Sequence, residues 1–220
     1  MALLAASILV AAACGPEVPA GLVGPWQALP MGLPGTLVDD VDGTCRSSFP
    51  EFPQEAELVV IDVRGAGKVE AQYAGPKRLT ANCWGMTIDA TGVIGPGGGG
   101  TGFGEADWNA LQAHEMEQHG GYGSPEASAT SGRVGPGIAR VLIALPGCPP
   151  ITASLANGWF LAWWPGEWPV GTKVLGLDAL GQTVIEQPID AAPPAEGRVQ
   201  GCFGANIGPT SRPAADASMS

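Results

Sequence analysis

The sequence predicts a mainly β fold, an antiparallel β-sandwich or a barrel-like sheet, with one short helix in a glycine-rich central insertion. Three observations predict it. Glycine and proline, which interrupt helices and favour turns, supply 34 and 21 of the 220 residues. Segments that are β-branched or that alternate between polar and apolar residues recur in both halves of the chain. Hydrophobic residues make up 45% of the total, enough to bury a real core.

The first 14 residues have the pattern of an export signal. Residues 2–13 form an uninterrupted apolar run of signal-peptide length, too short to cross a bilayer, which takes ~20 residues. Three alanines then precede Cys14. This string resembles a bacterial lipoprotein processing site. The resemblance implies that Cys14 becomes an acylated first residue, which would anchor the protein in the membrane. Secretion without a lipid, or a buried N-terminal helix or strand, are the alternatives.

Residues 15–37, rich in proline and glycine and poor in charge, predict a tether or an extended lead-in. A first β half follows at residues 38–94. Its clearest part is an antiparallel hairpin with one solvated face, because a β-branched run and an alternating run flank the turn sequence Arg64–Gly67. The strands expected in this half are Glu57–Val63, Lys68–Ala74, Arg78–Ile88 and Gly92–Ile94.

The central insertion covers residues 95–133. Its glycine-rich beginning predicts a flexible loop over residues 95–104. Residues 105–118 predict the single helix, because acidic residues come early, glycine and proline are absent, and Trp108 and Leu111 fall on related faces. The glycines that follow His119 would end this helix as a C-cap does.

The second β half, residues 134–202, carries the stronger β pattern. Asn157-Gly158 between two apolar runs is typical of a type I′ hairpin turn. Residues 203–220 are small and polar, which predicts a disordered tail. The strands expected in this half cover residues 137–145, 151–156, 159–164, 173–178 and 182–187.

Three short strings stand out in this half. Gly132–Gly137 reads Gly-Arg-Val-Gly-Pro-Gly, Asn157–Phe160 reads Asn-Gly-Trp-Phe, and Trp163–Gly166 reads Trp-Trp-Pro-Gly. Together they resemble a C-terminal β module of exported or membrane-anchored actinobacterial proteins of uncharacterised function, and residues 58–75 are similar to the N-terminal half of such proteins. The resemblance covers about half of the chain. It implies a place in the cell envelope and supplies no activity.

The cysteine count also favours export. There are five cysteines, and if Cys14 is lipidated or removed, four remain for two disulfides. None lies in a CxxC pair, so a zinc ribbon or a thioredoxin-type redox site is not indicated. Of the three ways to pair the four, we favour Cys45–Cys83 and Cys148–Cys202, because each pair stays within one half of the chain. Four free thiols would indicate a cytosolic protein instead.

The net charge of −11 excludes one class of partner. Only ten lysines and arginines are present and none of them cluster in the sequence, so nucleic acid, which is bound mostly through its phosphates, is not an expected partner. Peripheral binding to anionic lipid headgroups is disfavoured for the same reason. The acidity itself is explained by solubility.

Metal sites have weak support. His114 and His119 stand five residues apart, which places their rings about 140° apart on a helix, whereas a zinc-binding helix needs a spacing of four. A loose calcium site from Asp39, Asp40 and Asp42 is weighed against a role of these residues in capping and turns, and an EF-hand is rejected because its required glycine is absent. No cofactor motif survives a check of its spacing.

Four tryptophans lie within ten residues: Trp159, Trp163, Trp164 and Trp168. In a strand the first two share one face and Trp164 lies on the other. One face must be core. The other is either covered, as in a sandwich, or an exposed aromatic platform that could stack on a sugar or contact a protein.

The leading functional prediction is an exported cell-envelope module, not an enzyme, that binds a protein or a polysaccharide. An extracytoplasmic hydrolase with paired carboxylates is the first alternative, because the separation of two acidic groups cannot be read from a sequence. A structural tether is the second. The sequence indicates neither the ligand nor the oligomeric state.

Overall fold

The structure is a computed structural model that describes residues 26–49, 51–65, 67–89, 92–95, 98–102, 106–123, 127–189, 199–200 and 206–207. Within these ranges the fold is mainly β, with one helix and antiparallel sheets that do not close into a barrel, and it is consistent with a β-sandwich. The predicted fold class is confirmed. In chain order the elements are α1 (Gly35–Ser48), β1 (Glu57–Val63), β2 (Lys68–Ala74), β3 (Thr80–Asp89), β4 (Gly92–Ile94), β5 (Gly98–Gly102), β6 (Met116–Gly123), β7 (Ala127–Val134), β8 (Arg140–Ala144), β9 (Ile151–Thr152), β10 (Ser154–Ala156), β11 (Trp159–Pro165), β12 (Lys173–Leu177), β13 (Thr183–Pro188), β14 (Val199–Gln200) and β15 (Asn206–Ile207).

Helix α1 lies where the sequence was interpreted as the end of a tether and the start of a β half. Pro34 precedes it, and Phe49 leaves it in an extended conformation. Its buried residues are Leu37, Val41 and Cys45, which recur every four residues and therefore form one stripe. The acidic residues between them occupy the other faces of the helix, which is why this segment resembles a turn-rich loop in the sequence.

The first sheet has the order β1-β2-β3-β4, with β5 also paired to β3. The predicted β1–β2 hairpin is confirmed with the bounds expected from the sequence. The flexible loop predicted over residues 95–104 is wrong where it overlaps β5. Here Gly98 lies so close to the Trp84 ring that an added Cβ would come within 2.1 Å of the indole nitrogen, so glycine lets this strand lie against an aromatic ring.

The second sheet has the order β10-β11-β7-β6. The helix predicted over residues 105–118 is wrong: residues 106–115 have no helix, and β6 begins at Met116 and pairs with β7 from Met116↔Val134 to Gly123↔Ser128. Residues that favour a helix form a strand at the start of β6, because pairing with the neighbouring strand outweighs their local helix propensity. The type I′ turn is confirmed, since Asn157 and Gly158 have φ values of 52° and 74° between β10 and β11.

The third sheet has the order β13-β12-β8-β9, and β14 pairs with β15 apart from it. Three clusters of buried side chains show which layers pack on each other. Helix α1 packs on one face of the first sheet. The second sheet packs on the third through Phe160, Ala162 and Trp164 of β11. The other face of β11 meets β1, where Trp159 and Leu161 contact Val60. Strand β11 is therefore covered on both faces.

Candidate functional site

A pocket of about 300 Å³ opens where the end of α1 faces the β3–β5 pair. We call it the aromatic pocket. Its lining residues are Phe49, Glu51, Phe52, Asn82, Gly99, Gly100 and Thr101.

One wall follows from the way in which α1 ends. Phe49 leaves the helix in an extended conformation, and the Phe52 backbone N–H donates to the Phe49 carbonyl at 2.9 Å, which closes a turn. Phe52 is buried edge-on against Tyr73, with the ring centroids 4.7 Å apart. The Arg46 guanidinium lies 5.3 Å from the Phe52 ring centroid and donates to the Ala56 carbonyl at 2.7 Å. The wall is therefore fixed by packing before any ligand arrives.

The opposite wall is backbone. Asn82 pairs with Gly100 across β3 and β5. A Cβ added at Gly99 would come within 2.7 Å of the Phe49 ring, so a side chain there would displace the ring. Because β5 carries hardly any side chains, a ligand can approach its backbone closely.

A disulfide joins the two walls. Cys45 on α1 is bonded to Cys83 on β3, next to Asn82, with the Cα atoms 6.1 Å apart. This confirms one of the two predicted pairings, and a disulfide fits an extracytoplasmic location. Cys148 is also disulfide-bonded. Its predicted partner Cys202 and the predicted lipidation site Cys14 lie outside the described residues.

Two side-chain oxygens in the lining of the aromatic pocket can accept hydrogen bonds from a ligand, one on Asn82 and one on Glu51. The Oδ1 atom of Asn82 is buried and has no hydrogen-bond partner within the described part of the chain. An unmet buried acceptor is unusual, because it loses its bond to water without replacement. Glu51 adds an exposed carboxylate at the rim. A ligand that fits this pocket therefore brings donors together with an apolar face for the phenylalanine wall.

The tryptophans predicted as a binding platform are not exposed. Trp159, Trp163 and Trp164 are buried, and Trp168 is half-buried against Trp164, with a centroid separation of 6.1 Å. The exposed platform is wrong, because both faces of β11 are covered by neighbouring sheets. The other interpretation weighed for the sequence, a strand covered on both sides, is the observed one.

The acidic calcium candidates lie on α1. Asp42 is paired with Arg46 one turn away, at 2.9 Å. In the ranges that the structure describes, no three His, Cys, Asp or Glu side chains come close enough to hold a metal ion. On the helix Asp40 lies about 100° from Asp39 and about 160° from Asp42, so the three carboxylates do not converge as a calcium loop requires.

A buried ion pair positions the sheets beneath these surfaces. Asp62 and Arg64 are both fully buried, and Arg64 Nε donates to Asp62 at 2.6 Å. Burial raises the pKa of Asp62, while Arg64 and the donors Ser154 and Trp163 N–H lower it. Because the guanidinium keeps its charge, we expect Asp62 to be ionised at neutral pH. Arg64 also donates to the carbonyls of Ala28 and Thr152, so one side chain links three segments.

Comparison with known proteins adds nothing to this geometry. No protein-family model matches the chain, and no match is found among curated proteins or solved structures. The functional argument therefore comes from the site itself.

Two further surfaces were not indicated by the sequence. An open apolar groove of about 310 Å³ runs beside β1, between Met31, Leu33, Val38 and Leu58. A cluster of arginine, histidine and tryptophan side chains lies at the β2–β3 turn.

Within the described ranges, no helix is both long and apolar enough to span a membrane.

Proposed function

We propose that the protein is an exported cell-envelope module that binds a polysaccharide without transforming it, with one sugar unit held in the aromatic pocket. The observation that supports this most directly is the combination of a preformed aromatic wall with an unpaired buried acceptor in a concave space. Specific ligand sites are usually concave, mostly apolar and supplied with a few fixed polar groups.

The chemistry of the lining favours a sugar. A sugar ring has an apolar C–H face that packs on aromatic rings, here Phe49, and hydroxyl groups that can donate to Asn82 Oδ1 and Glu51. Asn82 lines the pocket, and its Oδ1 atom is buried without a partner, so it is the acceptor that a ligand hydroxyl would satisfy. At about 300 Å³ the pocket is at the small end of ligand sites, the size for one ring of a longer chain.

The alternative of a hydrolase with paired carboxylates has less support. Among the described residues, Glu51 is the single carboxylate that lines the aromatic pocket, whereas such hydrolysis uses two acids that flank the scissile bond. The buried carboxylates Asp62 and Glu70 already accept internal hydrogen bonds, from Arg64 and from the Gly85 N–H respectively. These contacts favour structural roles for both groups.

Export is the other part of the proposal. The apolar run before Cys14, the resemblance to exported actinobacterial proteins and the Cys45–Cys83 disulfide all support it. Mass spectrometry of the native protein tests it. We expect cleavage within the first residues, with an acyl mass if Cys14 is lipidated. An intact Met1 with all cysteines free to alkylate would contradict export.

Calorimetric titration with neutral sugars tests the binding. The probes are glucose, galactose, mannose and N-acetylglucosamine with their tetrasaccharides. We expect Phe49→Ala to weaken binding about tenfold, because it removes a ring contact of ~1 kcal/mol together with its buried area. Glu51→Gln should weaken it by a smaller factor. Glu55→Gln is the matched control, since Glu55 is exposed in the same turn and does not line the pocket. Equal affinities for Phe49→Ala and the unaltered protein would contradict this site.

A protein partner is the second candidate, and the groove along β1 favours it. This groove is apolar and lies beside β1, the outer strand of its sheet, so a partner could pack there. A partner protein that docks in this groove should bind the Phe49→Ala variant as well as the unaltered protein, and Leu58→Asp should abolish its binding. This result would support a protein partner over the sugar.

A further inference from the structure

The turn between β2 and β3 is strained and positively charged. The Leu79 N–H donates to the Pro76 carbonyl at 3.0 Å, and the two central residues, Lys77 and Arg78, have φ values of 52° and 51°. Positive φ at both positions defines a type I′ turn, which asparagine and glycine normally occupy. The left-handed conformation is unfavourable for an ordinary L-residue because it brings Cβ too close to the following carbonyl oxygen. Strain of this kind clusters at functional sites.

Two arginines flank a fixed tryptophan at this turn. The Arg78 and Arg133 guanidinium carbons lie 5.3 and 4.8 Å from the centroid of the Trp108 ring. Trp108 is held by its Nε1–H, which donates to the Gly75 carbonyl at 2.7 Å, and by edge contact with Trp159 at 5.2 Å. Cation–π packing therefore positions the guanidinium groups before any ligand is present.

The charges at the cluster do not balance. One atom, Oε2 of Glu117, faces Arg133 at 3.3 Å, Arg78 at 3.7 Å and His119 Nε2 at 3.0 Å. Burial lowers the pKa of His119, against the opposing effect of Glu117 and with that of both arginines, so the imidazole is neutral at pH 7. Two permanent positive charges thus share the Glu117 carboxylate, while the nearby Asp107 carboxylate accepts from the Lys77 backbone N–H at 2.9 Å.

Arg78 is the less satisfied of the two arginines. Its contact with Glu117 exceeds hydrogen-bond distance, and its side chain is 37% exposed. By contrast, the buried Arg64 donates twice to a single carboxylate, at 2.6 and 3.0 Å. Arg78 therefore keeps N–H donors directed at solvent, which is the arrangement of a site open to an outside oxyanion.

We propose that Arg78 and Arg133 bind an oxyanion group of an acidic ligand, a carboxylate or a sulfate, which replaces Glu117 between them. Arginine matches carboxylates and tetrahedral oxyanions because its donors form a rigid fork that can contact two oxygens at once. Glu117 occupies the site in the free protein and leaves it when the ligand binds. The cluster stands apart from the residues that line the aromatic pocket, and it acts whether or not that pocket takes a sugar.

Titrations with glucuronate, inorganic sulfate and glucose, followed by NMR at the Trp108 indole N–H, test the proposal. We expect saturable shifts with glucuronate, and glucose should give none at this N–H. The sulfate titration tests which chemical group the site recognises. Binding of both anions indicates a general oxyanion site, and binding of glucuronate alone indicates a carboxylate site. Affinity should fall as salt is added, because both partners are charged.

Two substitutions give opposite expectations. Arg78→Gln removes a donor fork and should weaken binding about tenfold or more. Glu117→Gln removes the competing charge and should strengthen it at least threefold. Arg140→Gln is the control, since Arg140 is exposed on β8 and away from the cluster.

The sign of the Glu117 effect decides between binding and structure. If the cluster only stabilises the fold, Glu117→Gln lowers the melting temperature and leaves anion affinity unchanged or weaker, which overturns the proposal. Absence of binding by both anions also overturns it. Arg78→Gln keeps the test valid if Glu117→Gln fails to fold, because Arg78 lies on the surface and its loss leaves Glu117 paired with Arg133. Anion binding that Arg78→Gln does not change places the site elsewhere and refutes this assignment.

Discussion

The two faces of the second sheet are packed by different means. Towards the third sheet the contact is apolar, with Phe160, Trp164 and Ile143 fully buried. Towards the first sheet, polar contacts are added to the apolar cluster of Trp159, Leu161 and Val60. Here Gln72 accepts from the Ser131 hydroxyl at 2.9 Å, and Asp62 accepts from the Trp163 backbone N–H at 3.0 Å. An apolar layer stabilises through buried area and has little directional preference. A polar layer requires each group to meet its partner, so it specifies how the first sheet docks.

The same contrast separates stability from recognition. The arginine cluster joins residues of β6 and β7 to the β2–β3 turn, whereas the aromatic pocket is built on α1 and the first sheet. The first sheet is secured by a buried ion pair and by the Cys45–Cys83 disulfide. Such links hold side chains in fixed positions, which is what preformed sites need.

The largest expected effect comes from breaking the polar layer at its centre. Arg64→Met leaves Asp62 buried without its counter-charge, and we expect a loss of ~3–5 kcal/mol in the free energy of unfolding, measured by urea denaturation. Lys173→Met is the control, because it breaks an ion pair with Glu186 that is about half exposed and whose loss costs ~1 kcal/mol or less. Adding Asp62→Leu to Arg64→Met should recover part of the loss, because the buried charge is gone while the Trp163 N–H and the Ala28 and Thr152 carbonyls stay without these partners. Equal losses for Arg64→Met and Lys173→Met would contradict the account.

A somewhat smaller effect is expected from the disulfide. Replacing Cys45 and Cys83 by alanine opens a loop of 38 residues and should lower stability by ~3–4 kcal/mol in the chain-entropy model. It should also weaken sugar binding, because the two walls of the aromatic pocket lose their covalent link. A variant that is less stable yet binds sugar with unchanged affinity would show that the walls are fixed without the bond.

The smallest expected effect comes from a variant of the β2–β3 turn that should gain stability and lose anion binding. The double substitution Lys77→Asn with Arg78→Gly gives the turn the residues that its backbone favours, and we expect a gain of ~1–2 kcal/mol in stability. Anion binding should be lost in the same variant. The reverse replacement, Asn157→Lys with Gly158→Arg in the other type I′ turn, should cost stability by a similar amount. A lower melting temperature for the first double variant, measured by thermal denaturation, would argue against strain at the β2–β3 turn.

The elements that the sequence predicts correctly are those whose residues form a strong local pattern. The bounds of the β1–β2 hairpin were predicted correctly, but the expected solvated face is wrong. The polar residues Glu70 and Gln72 are buried, because the second sheet covers that face and Ser131 donates to Gln72. Strand β11 and the Asn157-Gly158 turn were also found, since a continuous apolar run and a left-handed pair are strong local patterns.

The failures have a common physical cause. Helix α1 was missed because its stripe is only three residues and its other faces carry aspartates and glycine. Strands β5 and β6 were missed because glycine-rich or helix-favouring residues form strands only when a partner strand is present. The sites were missed for a related reason: Phe49 and Asn82 are brought together by a tertiary contact, and so are Arg78 and Arg133.

Amide chemical-shift mapping during titration with neutral tetrasaccharides tests the central claim most directly. Because β5 forms a backbone wall of the aromatic pocket, we expect saturable shifts at Gly99 and Gly100 and around Phe52 and Asn82, and none along β1. Saturable shifts confined to β1 and the groove beside it, or no shifts with any sugar, would contradict the proposal that this pocket binds a polysaccharide.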